Sequence, residues 1–170
     1  MDYEKTYGQM HDAKARHFSG YSIKPYVSEI AALVYDRLPD RLLDYGSGKG
    51  YQYLALRVHE KWGGLLPVCY DPGVVQLRIK PTGQFSGIIC TDVMEHIEEA
   101  DVGAVLDDIF SYAANHGFVF LAIACRPARR KRLPDGRDVH VTIKSPVWWN
   151  NKLLKYQRDG LTIRAVYDEG

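Results

Sequence analysis

The chain has 170 residues, with 22 lysines and arginines against 21 aspartates and glutamates and a formal net charge of +1. That length carries one substantial core and not two, so a single domain over 1–170 is expected. The near balance of charge excludes the global field of an obligate nucleic-acid or membrane-surface protein. Cys69, Cys90 and Cys125 are widely spaced, each in or beside an apolar run. They read as buried thiols of a reducing compartment, the cytoplasm by default, rather than as a disulfide or zinc framework. No stretch reads as a signal peptide or a bilayer span.

Residues 1–20 are polar with scattered aromatics, and 1–22 read as a candidate N-terminal lid with Tyr7, His17 and Tyr21 as candidate contacts. Pro25 opens a segment with Val27, Ile30, Ala31, Val34 and Leu38 at helical spacing, a helix that packs on a sheet. Residues 41–45 read as a strand, 51–61 as a helix with Leu54 and Val58 on one face, and 66–70 as a second strand ended by Asp71, Pro72 and Gly73. Only a loop and one short element fit between Asp71 and Phe85, so one unit of the β-α-β pattern is eroded there. An apolar strand over 85–91 follows, then a helix over 101–114 with Val102, Val105, Leu106 and Ile109 inward, and a buried strand over 117–124. Unbroken apolar runs of this kind suit a parallel sheet covered on both faces. A basic loop over 126–137, the segment 140–144, a helix started by Ser145 and Pro146, and a last strand over 161–167 complete the chain. His11, His59 and His116 read as ordinary surface histidines.

The richest stretch joins the first strand to the helix after it: Leu42, Leu43, Asp44, Tyr45, Gly46, Ser47, Gly48, Lys49, Gly50. Glycines at 46, 48 and 50 allow a sharp turn and bring bare backbone against a ligand. A carboxylate at the mouth of such a turn suits a ligand carrying an ammonium or sulfonium better than a pyrophosphate, which helix-end dipoles already attract.

With DYGSGKG after the first strand, VCYDPG at the end of the second and FSGIICTDVMEHI over the third, the chain resembles the class I S-adenosylmethionine-dependent methyltransferases. Its size matches small stand-alone members found in bacteria and phages. The resemblance implies a Rossmann-like three-layer α/β sandwich with a mostly parallel central sheet, the family's third strand shortened and its C-terminal hairpin reduced. It also implies S-adenosylmethionine as cofactor, bound by Asp44, Tyr45, Gly46, Ser47, Gly48 and Gly50, with Asp71 on the ribose hydroxyls. Tyr70, Val74 or Thr91 stand in for the adenine-reading residues of the shortened region, and Asp92 closes the cofactor set. The local reading of Asp71 is the cap of an Asp-Pro-Gly turn. No Asn-Pro-Pro-Tyr-like tetrapeptide and no Pro-Cys nucleophile follows the 85–91 strand, which argues against exocyclic base amines and cytosine C5 as acceptors.

Asp92, Glu95 and His96 stand at i, i+3 and i+4, one face of a helical turn if one begins where the strand ends. Ubiquinone-pathway O-methyltransferases and small-RNA 2′-O-methyltransferases carry a similar acid-x-x-Glu-His motif that binds a divalent ion, and His140 stands where a further histidine ligand would be. Such a set suits Mg²⁺ or Mn²⁺ that lowers the pKa of an acceptor hydroxyl. Without an ion, His96 or His140 is the candidate base.

Arg126, Arg129, Arg130, Lys131, Arg132 and Arg137 crowd one loop on the ligand side of the sheet, and Trp148 and Trp149 follow. Arg126, Arg129, Arg130 and Arg132 with Trp148 are the candidate acceptor site for a phosphate or other anion, against the plainer reading of a solvated loop and a core tryptophan. The expected activity is methyl transfer to an oxygen, or less favourably a nitrogen, of a small or anionic acceptor. A phosphorylated sugar, a nucleotide, an RNA end and an isoprenoid-linked phenol all remain open. Two alternatives share these motifs: a non-catalytic module that binds the cofactor or S-adenosylhomocysteine, and an NAD-dependent oxidoreductase.

Overall fold

The computed structural model describes residues 21–128 and 132–170, so most of the candidate lid, with Tyr7 and His17, and the loop residues Arg129, Arg130 and Lys131 lie outside the described residues. Five strands form one all-parallel sheet in the order β2-β1-β3-β4-β5: β1 Leu42–Tyr45, β2 Val68–Tyr70, β3 Phe85–Thr91, β4 Ala113–Ala124 and β5 Leu161–Asp168. Their side chains alternate between two cores, because successive residues of a strand face opposite sides. Leu42, Ile89, Phe118 and Phe120 pack with Ile30 and Val34 of helix α1, Val27–Arg37. Leu43, Ile88, Val119, Leu121 and Ile123 pack instead with Leu106 and Ile109 of α3, Val102–Ser111, and with Trp149 and Leu153 of α4, Pro146–Leu153. The result is the expected three-layer sandwich.

Three elements depart from the sequence reading. The helix expected over 51–61 is a single turn, α2, Tyr51–Leu54, followed by a 3₁₀ segment Val58–Trp62. Arg57 between them is left-handed at φ 49°, which a continuing helix cannot accommodate. Leu54 is exposed, while Gln52 and Tyr53 turn inward. Leu38 likewise lies outside α1, capping it in a left-handed conformation and mostly exposed. β4 begins four residues earlier than expected, at Ala113, with a register shift against β3 between Phe85 and Gly87.

No named element lies between Asp71 and Phe85. Lys80 at 2.6 Å and the Tyr45 hydroxyl at 2.8 Å both reach Asp108 on α3 and pin this loop to the layer beneath it. From the edge of β1, Arg41 reaches the carbonyls of Thr82 and Gln84, with its guanidinium 4.3 Å from the Phe85 ring centroid. Among the described residues, no helix is long and apolar enough to cross a membrane.

Close strand packing makes one glycine indispensable. A Cβ on Gly117 would overlap the Ser86 carbonyl oxygen and stand 2.9 Å from its carbon, and that neighbour is backbone, which cannot swing aside. Gly117→Ala is expected to cost on the order of 1–3 kcal/mol in urea unfolding. Gly103→Ala in α3, where a Cβ meets nothing within 4 Å, is expected to gain up to about 1 kcal/mol.

Candidate functional site

The glycine turn hangs from the end of β2. The amides of Gly46 at 2.7 Å and Ser47 at 3.1 Å both donate to the Tyr70 carbonyl. The Gly48 amide donates to Asp71 Oδ2 at 2.8 Å, and Asp71 Oδ1 accepts from Gly73 N at 2.8 Å. Gly46, Gly48 and Gly50 all have positive φ, 77°, 56° and 66°, so the turn requires them. At Gly46 a second reason applies: a Cβ would overlap Val93 after β3, so this glycine lets the turn sit against the next strand's end. The Asp71 cap of an Asp-Pro-Gly turn is therefore present.

Asp44, only 1% exposed, accepts from Gln52 Nε2 at 2.7 Å and from the Tyr53 hydroxyl at 2.8 Å. Burial pushes its carboxyl up to about 7, with repulsion from Asp71 adding to the shift and the two hydrogen bonds opposing it. The inward turn of Gln52 and Tyr53 that ends the helix early thus builds the seat of this acid. A single buried carboxylate wanting donors is the signal that could have singled out that Gln-Tyr pair. Gln52 Oε1 also takes the Ile23 amide at 3.4 Å, and Ser22 Oγ lies 2.8 Å from Thr91 Oγ1, so residues 22 and 23 are stitched across the cofactor turn and the end of β3.

The other candidate cofactor residues have varied placements. Ser47 and Thr91 are buried at the turn. Tyr45 is directed into the protein by its bond to Asp108, and Tyr70 packs edge-on against it at 5.1 Å in the same core. Val74 is buried in the compact turn in which its amide donates to the Asp71 carbonyl. Asp92 is exposed and left-handed at φ 54°.

That conformation breaks the expected helical face. The turn after it is a 3₁₀ segment, Met94–His96, and the ligand atoms of Glu95, His96 and His140, without Asp92, lie within 4.8 Å of one another. His140 arrives because the segment before α4 binds backbone to this turn: Thr142 N to Glu95 O at 3.1 Å, and Thr142 Oγ1 to Ile97 O at 2.6 Å. Asp138 helps by accepting from the amides of Ala128 and His140. Carbonyls can only accept, so His96 donates from Nδ1 to Val139 O at 2.8 Å and His140 donates from Nδ1 to Arg126 O at 2.7 Å. In each neutral ring the lone pair is then on Nε2. Glu95 is fully buried; Oε1 accepts from Ala124 N at 3.2 Å, whereas Oε2 is buried with no hydrogen-bond partner among the described residues. Burial first and Asp92 second push its carboxyl up to about 8. Tyr26, missed in the sequence, borders this region. Its hydroxyl pKa is raised by burial and then by the carboxylates of Asp92, Asp168 and Glu95.

Three arginines of the basic loop pair with carboxylates where the loop is described. Arg126 pairs with Asp168 at 2.6 Å, Arg132 with Asp138 at 2.9 Å, and Arg137 with both Glu98 and Asp135 at 2.8 Å. These three have carboxylate partners inside the protein, so an anion would have to displace one. Trp149 is a core side chain, and the half-buried Trp148 has Lys152 and Lys144 over its ring at 4.8 and 5.5 Å.

A family model described as a methyltransferase domain matches residues 15–157. Neither the curated proteins nor the solved structures contain a match. The chain belongs to this methyltransferase family, and its parallel α/β sandwich is the fold of the class I S-adenosylmethionine-dependent enzymes. It is an enzyme that takes its methyl group from S-adenosylmethionine. The family match carries the methyltransferase reading over the oxidoreductase alternative, and a buried acid beside the turn agrees with a cationic cofactor.

A cation bound beside Asp44 favours its ionised form. Cofactor affinity is therefore expected to rise with pH between about 6 and 8 as the acid, held at about 7, gives up its proton. Calorimetry in buffers of different ionisation enthalpy would detect the released proton, and Asp44→Asn should bind more weakly and without this slope. The sign for the cofactor-free protein is opposite. A carboxyl raised from 3.8 contributes stability that is complete below about 4 and lost as pH climbs through about 7, so the melting temperature should fall over that window relative to Asp44→Asn.

Proposed function

We propose that this methyltransferase alkylates a hydroxyl oxygen of a small acceptor at the C-terminal ends of β3 and β4, with Glu95, His96 and His140 holding a divalent ion beside that hydroxyl. The observation that carries this reading is Glu95 Oε2, a carboxyl oxygen buried with no hydrogen-bond partner among the described residues, beside two imidazoles. An unpaired acceptor of this kind costs roughly 1–3 kcal/mol or more, which a ligand can recover.

The donor set fits an ion. Both histidines are oriented by Nδ1–H bonds to carbonyls, the usual second-layer support of metal-bound imidazole. The ligand atoms of the three residues lie within 4.8 Å of one another, so they would hold an ion together. Two imidazoles with one carboxylate favour Mn²⁺ over Mg²⁺, because magnesium prefers an all-oxygen shell. The ion would lower the acceptor hydroxyl's pKa, and a neutral alcohol is otherwise a poor nucleophile. S-adenosylmethionine supplies a methyl carbon already bound to a good leaving group.

The chain's own residues then do three things. The turn over 46–50 and Asp71 fix the cofactor's position, Asp44 favours its positive charge, and the 3₁₀ turn after β3 presents Glu95 and His96 four and five residues after Thr91. In-line positioning of this kind supplies up to roughly 7–11 kcal/mol in favourable cases.

Label from the cofactor methyl is expected in an ether product when the purified enzyme meets fractionated cell extract. Exhaustive chelation should abolish transfer and Mn²⁺ should restore it. Mn²⁺ alone should raise the melting temperature of the wild type but not of Glu95→Gln, a variant expected to lose roughly 100-fold or more in turnover. Full activity after chelation would eliminate the ion and leave His140 as the candidate base. Asp71→Ala, which removes two supports of the turn, should weaken cofactor binding by about 10–100-fold in calorimetry.

A further inference from the structure

The two edges of the sheet are treated differently. β2, at one edge, has three residues and is bracketed by Pro67 and Pro72. β5, at the other, has eight residues with no proline or lysine, and among the described residues it pairs only with β4. Short strands, prolines and lysines are the usual protection against edge pairing. β5 has none of them.

Which groups remain outward follows from the ladder. Its end bonds run from Gly117 N to Gly160 O at 3.3 Å and from Cys125 N to Asp168 O at 2.8 Å. A parallel pair uses every second residue, so even-numbered residues of β5 bond to β4. Leu161, Ile163, Ala165 and Tyr167 turn their N–H and C=O groups away from it.

We propose that β5 pairs antiparallel with β5 of a second copy of this chain, about a two-fold axis through Val166, to make one continuous ten-stranded sheet. A symmetric antiparallel pair places one residue opposite itself, which leaves few registers. An axis at Arg164 sets two guanidiniums face to face, which is unfavourable. An axis at Ala165 sets Arg164 opposite Val166 and leaves Asp168 opposite Thr162. An axis at Val166 sets Arg164 opposite Asp168 of the second copy, twice over.

That register also extends charges already ordered in each chain. Arg164 pairs with Glu29 and Asp168 with Arg126, so each half of the interface becomes an alternating row: Glu29, Arg164, then Asp168 and Arg126 of the second copy. On the other face Ala165 meets the ring of Tyr167 from the second copy. A cleft of about 260 Å³ opens there, lined by Leu153, Leu154, Ile163 and Ala165 together with the polar Asn150 and Gln157, and Asn150 Oδ1 accepts from the chain's own Tyr167 hydroxyl at 2.7 Å. A small residue and a cleft opposite a large ring are complementary in shape.

Sedimentation over a concentration series reaching high micromolar should show a reversible dimer. Ala165→Pro removes an outward N–H while sparing the ladder to β4, and Arg164→Asp places like charges together; both are expected to be folded by circular dichroism and monomeric. Val166→Cys, at a directly opposed pair, should form a reducible cross-linked dimer under mild oxidation, while Thr162→Cys and the wild type remain uncross-linked. A wild type that is monomeric throughout, as it would be if residues 1–20 covered this edge, overturns the proposal. A dimer that persists in both Ala165→Pro and Arg164→Asp overturns it equally.

Discussion

The site depends on one strand end holding the turn of its neighbour. β1 and β2 pair in parallel with Tyr45 beside Tyr70, so the chain leaves β1 directly next to the last carbonyl of β2 and the carboxylate that follows. Tyr70 O takes two amides and Asp71 takes a third, which leaves the glycine turn little freedom. The arrangement has an electrostatic consequence. Asp71 is brought close enough to Asp44 to oppose its ionisation, and Asp44 is buried as well. A turn with two acids at its ends is poorly satisfied alone, and it becomes satisfied by a molecule with positive charge.

With no strand or helix between Tyr70 and Phe85, this edge of the sheet needs other support. Point contacts supply it. Asp108 receives Lys80 from the loop and Tyr45 from beneath the turn, so one carboxylate on α3 ties both to the same helix. Arg41 holds the far end of the loop through two carbonyls. Each exposed contact is worth little by itself. Together they fix where the loop leaves Asp71 and where it enters β3, which is what the cofactor turn needs from it.

The parts of the sequence that read correctly are those whose reason is local. Glycines at alternate positions after an apolar strand, a Pro-opened helix and unbroken apolar runs each specify a conformation without reference to distant residues. The misread parts have reasons elsewhere in the chain. Gln52 and Tyr53 look like surface positions of a helix until the buried Asp44 requires donors, and the left-handed Arg57 then ends the helical pattern. The carboxylate partners of Arg126, Arg132 and Arg137, namely Asp168, Asp138, Asp135 and Glu98, are equally invisible in the sequence. The spacing of Asp92, Glu95 and His96 suggests a helical face, but the chain takes a left-handed step at Asp92 as it turns off β3. No periodicity reports a single residue of that kind. His140 is placed beside Glu95 and His96 by resemblance alone, and hydrogen bonds between 139–142 and 95–97 are what hold it there.

The step from β3 to Glu95 and His96 is short. Thr91 lies at the cofactor turn, and Glu95 and His96 come only four and five residues later, through a left-handed residue and one 3₁₀ turn. A regular helix starting at Asp92 would line the acid, the glutamate and the histidine along one side, as the spacing suggests. The observed turn instead buries Glu95 against the Ala124 amide at the end of β4 and brings His96 edge-on to His140, 5.0 Å between ring centroids. The acceptor-side groups are consequently fixed by β3, β4 and the segment before α4 together. Methyl transfer rewards such fixity, because the leaving group is already activated and most of what remains is to keep three atoms in line.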